Sequence, residues 1–265
     1  MTNWIYLSKK GDDEYMDLLA QGAGAHPTEL ETWQYESSTD PLVLRGIMKH
    51  KIIKQCWQDG RRFRYMDSGY LGNRPSYRNP HGWKHWHRIV PNNLQHGAVI
   101  KRPSDRWNQL GLEVANRRSG SHILIVAPDE KPCRFYGVDK ETWVKQTVES
   151  IKQYTDRPVE VRERAPKRID RIANDTLQQA LDNDVFALVT FNSVAAIESI
   201  FYGIPAFTLA PNAASPVSLQ DLSKINEPYY ADSDKLHAWA CHLAYGQFHT
   251  NELKSGQAKE MLLNG

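Results

Sequence analysis

The second half of the chain alternates short apolar runs with segments whose apolar residues recur at helical spacing. Strands are predicted at 122–128, 158–164, 185–190 and 205–209, and helices at 140–154, 176–183, 192–202 and 233–248. An unbroken apolar run such as 122–128 is typical of a strand buried on both faces. The regular alternation of the two kinds of segment predicts a parallel, doubly wound α/β sheet.

The first half follows the same pattern with longer irregular stretches. Strands are predicted at 4–7, 34–35 and 63–67, and helices at 14–21 and 44–58, with a further helix at 252–262. Residues 72–103 combine glycine, proline, asparagine and many aromatics, which predicts a long irregular loop of the functional or mobile kind. We place the lobes at 1–115 and 116–232, and we expect helices within 233–265 that pack back on the first lobe.

The most informative segment starts with the strand at 185–190. Thr190 closes this strand, Asn192–Ser193 form a polar turn, and the helix that follows carries Glu198 as its only carboxylate. Ligands of α/β sheets bind at the carboxyl ends of the strands, and a carboxylate in an apolar helix is costly unless it is paired. The segment therefore predicts a polar ligand. The alternative is that the turn only caps the helix and that the carboxylate pairs with an internal Arg or Lys.

The composition is that of a soluble globular protein. The 265 residues are 40% hydrophobic, and no run is long and apolar enough to cross a membrane. The three cysteines lie far apart without metal-ligand spacing, and the first residues predict a strand and a turn rather than a signal peptide. Because such cysteines are typical of reduced thiols, we expect a cytoplasmic protein. We also expect no bound metal, since no DxD-type motif lies at a convincing strand end.

The charge is unevenly distributed although the formal net charge is only +2. Basic residues cluster at 49–51, 61–64, 84–88, 101–102 and 117–118. An uneven basic face is expected of a protein that binds a phosphate-rich partner. The alternative for any single cluster is an ordinary solvated surface.

Three segments resemble known proteins. Asn192–Ser193, then Glu198, then Gly203–Pro205 resemble the nucleotide-sugar half of GT-B glycosyltransferases. The segments 65–73 and 243–248 resemble recurring parts of small phage-encoded proteins similar to DNA-base glycosyltransferases. This resemblance implies two Rossmann-like lobes that face a cleft. It also implies a nucleotide sugar, such as a UDP-sugar, as co-substrate, with no cofactor.

The resemblance assigns the donor site to the second lobe. There Glu198 would accept hydrogen bonds from a ribose, and the helix start at Asn192–Ser193 would face phosphate. Basic residues at the end of the strand at 158–164 and just after it would clamp the diphosphate and stabilise the departing nucleotide, unless they form only a solvated basic turn. The predicted donor-binding residues are Arg162, Arg164, Lys167, Thr190, Asn192, Ser193 and Glu198.

Asp67 is the candidate catalytic residue. It ends the predicted strand at 63–67 and precedes Ser68–Gly69. An inverting transfer needs a base that takes the proton of the acceptor hydroxyl, and a carboxylate at a strand end fits that role. An Asx-turn is the equally weighted alternative, since Asp-Ser-Gly is ordinary turn chemistry.

The acceptor is expected on the first lobe, among aromatic and basic residues. Such a mixture stacks on bases or sugars and neutralises phosphates, whereas the alternative is a small hydrophobic cluster under a long loop. The predicted acceptor-binding or DNA-binding residues are Arg45, Tyr70, Asn73, Trp83, Lys84, Trp86 and Arg88.

The preferred acceptor is a hydroxymethylated pyrimidine in phage DNA. The partners would then be a nucleotide sugar and double-stranded DNA, and the protein would be a monomer or a weak oligomer that binds no membrane. One alternative is a glycosyltransferase that acts on a glycan or a lipid-linked saccharide. The other is a non-catalytic module that binds nucleotide sugars or nucleic acid.

Overall fold

The structure is a computed structural model that describes residues 4–9, 13–72, 85–163 and 176–264. The strands within these ranges are β1 (Ile5–Ser8), β2 (Thr28–Glu29), β3 (Leu42–Arg45), β4 (Phe63–Ser68), β5 (Trp86–Pro91), β6 (His122–Val126), β7 (Val159–Arg162), β8 (Val185–Thr190), β9 (Ala206–Thr208) and β10 (Gln247–His249). The α-helices are Glu14–Gly22, His50–Asp59, Asp105–Leu110, Glu130–Tyr136, Lys140–Lys152, Leu177–Asp182, Ala195–Phe201, Ser233–Tyr245, Thr250–Ser255 and Gln257–Asn264.

The described residues divide into two compact units. The first unit contains those up to Leu94 and those from Tyr245 onward, and the second unit contains those from Gln95 to Ala244. The lobes drawn from the sequence instead divide at 115 and 232, so they assign the helix Ser233–Tyr245 differently. The acceptor and donor roles of the lobes, and the cleft between them, stay predictions.

The first unit is built on a mixed sheet. Among the described residues its strand order is β10-β5-β4-β3-β1-β2. Strands β1 to β4 run parallel, whereas β5 is antiparallel to both β4 and β10. The helix Glu14–Gly22 packs against the helix Thr250–Ser255, and a Cβ on Gly22 would lie 2.0 Å from the carbonyl oxygen of Leu253. Glycine is therefore required where these two helices approach.

The second unit is built on a parallel sheet. Among the described residues its strand order is β7-β6-β8-β9, and every neighbouring pair is parallel. One core cluster contains Ile123 and Ile125 of β6, Val189 of β8, and Phe207 of β9, and Ile151 of the helix Lys140–Lys152 joins it. Burial of such side chains supplies most of the stabilisation of the unit.

The α/β class predicted from the apolar pattern is confirmed, with one sheet in each of the two units. The strand predicted at 185–190 has the bounds of β8, and those at 122–128, 158–164 and 205–209 are trimmed at their ends. Continuous apolar runs identified these strands because parallel strands are covered on both faces.

Two local predictions in the first unit are wrong. The expected strand at 34–35 is instead the start of the 3-10 helix Tyr35–Ser37. The helix expected at 44–58 begins only at His50, because Leu42–Arg45 forms β3. Periodicity cannot separate a buried strand from a helix in an apolar run this short.

Two strands fall in segments predicted to be something else. β5 lies within the expected loop at 72–103, and β10 begins where the helix predicted at 233–248 was still expected to continue. These strands pair with each other in antiparallel register, with Phe248 opposite His87. A three-residue strand whose partner is distant in sequence leaves little local pattern to detect.

Candidate functional site

The carboxyl ends of the strands of the second unit align in one row. Arg162, Val126, Thr190 and Thr208 are register partners across β7, β6, β8 and β9. Neighbouring strands lie about 4.8 Å apart, so Arg162 and the end of β8 are separated by roughly 10 Å. This edge is where α/β sheets bind ligands.

Thr190 contributes to the sheet rather than to an exposed surface. It is fully buried, and its hydroxyl donates to the carbonyl oxygen of Val126 at 2.9 Å. Its hydrogen bond therefore ties the ends of β6 and β8 together. Arg162 is half-buried at the end of β7, and Arg164 and Lys167 lie outside the described residues.

Two buried amide side chains hold the polar turn that follows β8. The Gln95 Nε2 group donates to the carbonyl oxygen of Asn192 at 3.0 Å, and the Asn212 Nδ2 group donates to that of Ser193 at 2.9 Å. Gln95 Oε1 accepts from Ala213 N at 3.3 Å. The sequence analysis missed Gln95 and Asn212, since no motif or periodicity marks either residue.

The loop around Asn212 is itself held by hydrogen bonds. Asn212 Oδ1 accepts from the N–H of Ala214 at 2.8 Å, and the N–H of Asn212 donates to Ser215 Oγ at 3.2 Å. The buried Trp239 donates its Nε1–H to the carbonyl oxygen of Ala213 at 2.7 Å. The loop that follows β9 therefore forms a fixed support for the turn that follows β8.

The helix after the turn presents one partly exposed side chain. It spans Ala195–Phe201, three residues later than the predicted start, and Ser193 Oγ accepts from the N–H of Ala195 at 3.2 Å. Among its seven residues, all except Glu198 are buried. Glu198 is thus only partly shielded from solvent, and its role as a ribose contact stays a prediction.

Glycine is required just beyond this helix. Gly203 has a φ of +75°, and a Cβ there would lie 1.9 Å from the carbonyl oxygen of Asn116. The N–H of Ala115 donates to the carbonyl oxygen of Phe201 at 2.8 Å, and the N–H of Arg118 donates to that of Gly203 at 2.9 Å. The Gly-x-Pro segment therefore fixes the helix end against residues 115–118.

Asp67 lies in a hydrogen-bonded network near the end of β4. Its Oδ2 accepts from the Tyr65 hydroxyl at 2.6 Å and from Arg88 Nη2 at 3.3 Å, and its Oδ1 accepts from the N–H of Ser68 at 2.8 Å. Burial is the largest single influence on the pKa of Asp67, and by itself it would raise that pKa. The charge of Arg88 and the hydrogen bonds from Tyr65 and Ser68 together outweigh burial, so the pKa of Asp67 lies below its usual value.

The surroundings of Asp67 decide its charge but not its role. The lowered pKa keeps the carboxylate ionised at neutral pH, while 35% of the side chain remains exposed. Asp67 belongs to an extended strand, and its side chain accepts from the next residue rather than from the second. The geometry therefore differs from an Asx-turn, and the catalytic role stays a prediction.

Arg45 belongs to a neighbouring ion cluster at the end of β3. Its Nη1 lies 3.2 Å from Asp13 Oδ1, and Lys49 Nζ lies 3.8 Å from Asp13 Oδ2. Lys49 also donates to the carbonyl oxygens of Leu7 and Arg45 at 3.2 and 3.1 Å. Burial lowers the pKa of Lys49 and raises that of Asp13. The cluster ties β1, β3 and the first helix together.

The loop after β4 is held by the other segment that carried the family resemblance. Gln247 Oε1 accepts from the N–H groups of Tyr70 and Leu71 at 2.8 and 2.9 Å, and Gln247 Nε2 donates to the carbonyl oxygen of Leu71 at 3.0 Å. Segments 65–72 and 243–248 are therefore structurally linked. Sequence reasoning noticed both segments but missed the role of Gln247.

The structure places the predicted acceptor residues in different environments. Arg88 is buried, donates from Nη1 to the carbonyl oxygen of Ser68 at 2.7 Å, and lies 5.3 Å from the Tyr70 ring centroid. Tyr70 is also buried, and the half-buried Trp86 meets His249 edge-on at 5.3 Å. Buried Arg88 and Tyr70 do not provide a surface for DNA. Asn73, Trp83 and Lys84 lie outside the described residues.

In the ranges that the structure covers, no group of three or more His, Cys, Asp or Glu side chains is arranged to hold a metal ion. Within those same ranges, no helix combines the length and the apolar character needed to cross a membrane.

The comparisons with known proteins reveal similarity of fold. No model of a known protein family and no curated protein matches the chain. The chain is similar to the structure of Thermosulfurimonas dismutans KpsC, beta Kdo 2,7 transferase, with a TM-score of 0.52 and 8% identity, over 97% of this chain and 99% of that chain. It also matches Thermosulfurimonas dismutans KpsC, beta Kdo 2,4 transferase, with a TM-score of 0.49 and 10% identity, over 91% and 90%.

Proposed function

We propose that the protein is a glycosyltransferase that moves a sugar from a nucleotide-sugar donor to a hydroxyl group of a glycan. The observation that carries this proposal is the polar turn Asn192–Ser193 with Glu198 beside it, at the carboxyl edge of a parallel sheet. The fold similarity to the Kdo 2,7 transferase over nearly both whole chains supports it. That neighbour favours a glycan acceptor, whereas nothing comparable supports a pyrimidine in phage DNA.

The donor binds the second unit in this proposal. Asn192–Ser193 and Arg162 contact the phosphates, and Glu198 accepts hydrogen bonds from the ribose hydroxyls. Arg162 ends β7 and the turn follows β8, with β6 between these two strands. The span of roughly 10 Å between them therefore suits a nucleotide phosphate group rather than a single atom. The positive charge of Arg162 stabilises the departing nucleotide.

The acceptor hydroxyl meets Asp67 in this proposal. A carboxylate has about four acceptor positions, and Tyr65, Arg88 and Ser68 use three of those of Asp67. The remaining position accepts the hydrogen bond of the acceptor hydroxyl and then its proton, as the oxygen attacks the anomeric carbon. Because its pKa is lowered, Asp67 is a weak base, so proton transfer accompanies bond formation rather than preceding it.

Nucleotide binding tests the proposal directly. UDP, GDP and CMP, and sugars linked to each, are screened by thermal shift and by hydrolysis of the sugar. We expect one nucleotide class to raise the apparent melting temperature, because a ligand that binds only the folded state stabilises it. Glu198→Gln should weaken this shift, while the exposed Glu149→Gln on the helix Lys140–Lys152 should preserve it.

Two outcomes would change the proposed function. If no nucleotide or nucleotide sugar shifts the melting temperature and none is hydrolysed, the glycosyltransferase proposal fails. If duplex DNA binds with strong salt dependence and accepts the sugar while glycans do not, the acceptor is DNA.

A further inference from the structure

We propose that Gln95 and Asn212 are positioning residues for donor binding, which hold the Asn192–Ser193 turn without contacting the donor. This inference rests on the proposed function, because it assumes that this turn binds the donor. It adds two residues from other parts of the chain to the machinery of the site. Both belong to the second unit.

The carbonyl groups of two consecutive residues in the turn each accept a hydrogen bond from a side-chain amide. Gln95 donates to the carbonyl oxygen of Asn192, and Asn212 donates to that of Ser193. A peptide unit is planar, with its C=O and the following N–H pointing in opposite directions. The two hydrogen bonds therefore fix the orientation of both peptide planes. The N–H groups of Ser193 and Val194, which belong to the same two peptides, consequently point away from the two amides.

The two amides also join the turn after β8 to the loop after β9. Gln95 Oε1 accepts from the N–H of Ala213, and Asn212 Oδ1 accepts from the N–H of Ala214. The turn after β8 is thereby linked twice to the loop after β9. A primary amide can donate and accept at once, whereas a carboxylate can only accept and an aliphatic side chain can do neither.

The two amide side chains are shielded from water. Gln95 is 7% exposed and Asn212 is 0% exposed. Water cannot easily replace a lost hydrogen bond at such a position. Removing the Gln95 amide therefore takes the partner from the buried N–H of Ala213 and a donor from the carbonyl oxygen of Asn192. Removing the Asn212 amide leaves the carbonyl oxygen of Ser193 with the N–H of Ala196 as its donor. The turn then relaxes to satisfy these groups, and its orientation toward a donor changes.

Gln95→Glu tests this role with little change in shape. At pH 8 the ionised carboxylate can still accept from Ala213 N but cannot donate to the carbonyl oxygen of Asn192. We expect binding of the effective nucleotide among UDP, GDP and CMP to weaken about tenfold, as loss of one partly buried hydrogen bond implies. Gln146→Glu, a substitution at an exposed position, is the control, and this variant should bind the nucleotide as tightly as the wild type does.

The pH dependence separates positioning from general destabilisation. A buried carboxylate facing a carbonyl oxygen has a raised pKa, since burial and the carbonyl dipole both disfavour its charge. At pH 5.5 the protonated Glu can donate again, so binding by Gln95→Glu should recover to within about twofold of the wild type at the same pH. Gln95→Leu has no such donor and should not recover.

Asn212→Asp provides an independent second variant. It should behave like Gln95→Glu, because it loses the corresponding hydrogen bond to Ser193. Hydrogen exchange over 190–196, measured without nucleotide, should be faster in Gln95→Leu than in the wild type, because the turn has lost one of its two supports. This measurement examines the support of the turn separately from ligand binding.

The outcomes distinguish this inference from the proposed function. If the wild type binds a nucleotide and Gln95→Glu, Gln95→Leu and Asn212→Asp bind it equally well, the positioning inference is wrong and the proposed function stands. If the wild type binds none of the three nucleotides, the proposed function fails and the donor-positioning role fails with it. Faster hydrogen exchange over 190–196 in Gln95→Leu would then identify the amides as structural supports only.

Discussion

Gln247 offers the sharpest test of how the first unit is held together. The side chain is completely buried and makes hydrogen bonds with Tyr70 N, Leu71 N and Leu71 O at 2.8, 2.9 and 3.0 Å. Gln247→Leu keeps a similar side-chain volume but removes all of these bonds. It therefore probes hydrogen bonding with only a small change in packing.

The expected loss in the free energy of unfolding depends on the backbone groups that lose their hydrogen-bond partner. Two N–H groups and one carbonyl oxygen of the loop after β4 are bonded to Gln247. A buried hydrogen bond contributes about 1 kcal/mol, and leaving a buried group unsatisfied costs about 1–3 kcal/mol. We therefore expect Gln247→Leu to reduce the free energy of unfolding by roughly 3–5 kcal/mol, after partial relaxation of the loop.

Urea unfolding of the two variants Gln247→Leu and Gln257→Leu measures this difference. Gln257 is exposed in the same unit, so its substitution should change the midpoint little. Hydrogen exchange should also become faster at residues 69–72 in the first variant only. Equal midpoints and equal exchange in both variants would refute the conclusion that Gln247 holds this loop.

Two further predictions concern packing and charge. Gly22→Ala should destabilise the first unit by about 1–3 kcal/mol in a thermal unfolding assay, because the added Cβ would overlap the carbonyl oxygen of Leu253. Gly97→Ala is the control, and it should have little effect in the same assay because Gly97 has open space around it. Asp67→Asn should be less stable than the wild type at neutral pH. Because the folded-state pKa of Asp67 is lowered, its charge contributes stability above the ordinary pKa of about 4, and that contribution disappears as the pH falls through the folded-state pKa. The difference between Asp67→Asn and the wild type should therefore shrink in urea titrations below about pH 4, and a constant difference would contradict the ion pairing with Arg88.

The fold was predictable where the pattern is local and strongly apolar. The run from Val185 to Thr190 identified β8 because every side chain in a covered parallel strand meets apolar surroundings. The pattern was less useful for β3, where Leu42–Arg45 is short and adjoins a real helix. It was least useful for β5 and β10, whose pairing joins distant parts of the chain.

The candidate site was also predictable from the sequence only in part. The turn Asn192–Ser193 was predicted because a strand, a polar turn and a helix follow one another directly in the sequence. Asp67 was predicted at a strand end, but its lowered pKa depends on Arg88 from another strand. Local sequence therefore indicated which residues carry reactive groups, but it did not determine their charge state.

The residues that support the turn illustrate a different limit of sequence reasoning. An Asn or Gln in an irregular segment resembles any solvated amide, and neither Gln95 nor Asn212 has a recurring spacing. Their importance arises only when one amide meets a carbonyl from one loop and an N–H from another, away from water. The carbonyl groups of a turn such as Asn192–Ser193 need donors wherever water cannot reach them, because an unsatisfied buried carbonyl is costly. Residues that support the proposed donor-binding turn are therefore found among the hydrogen-bond partners of its backbone.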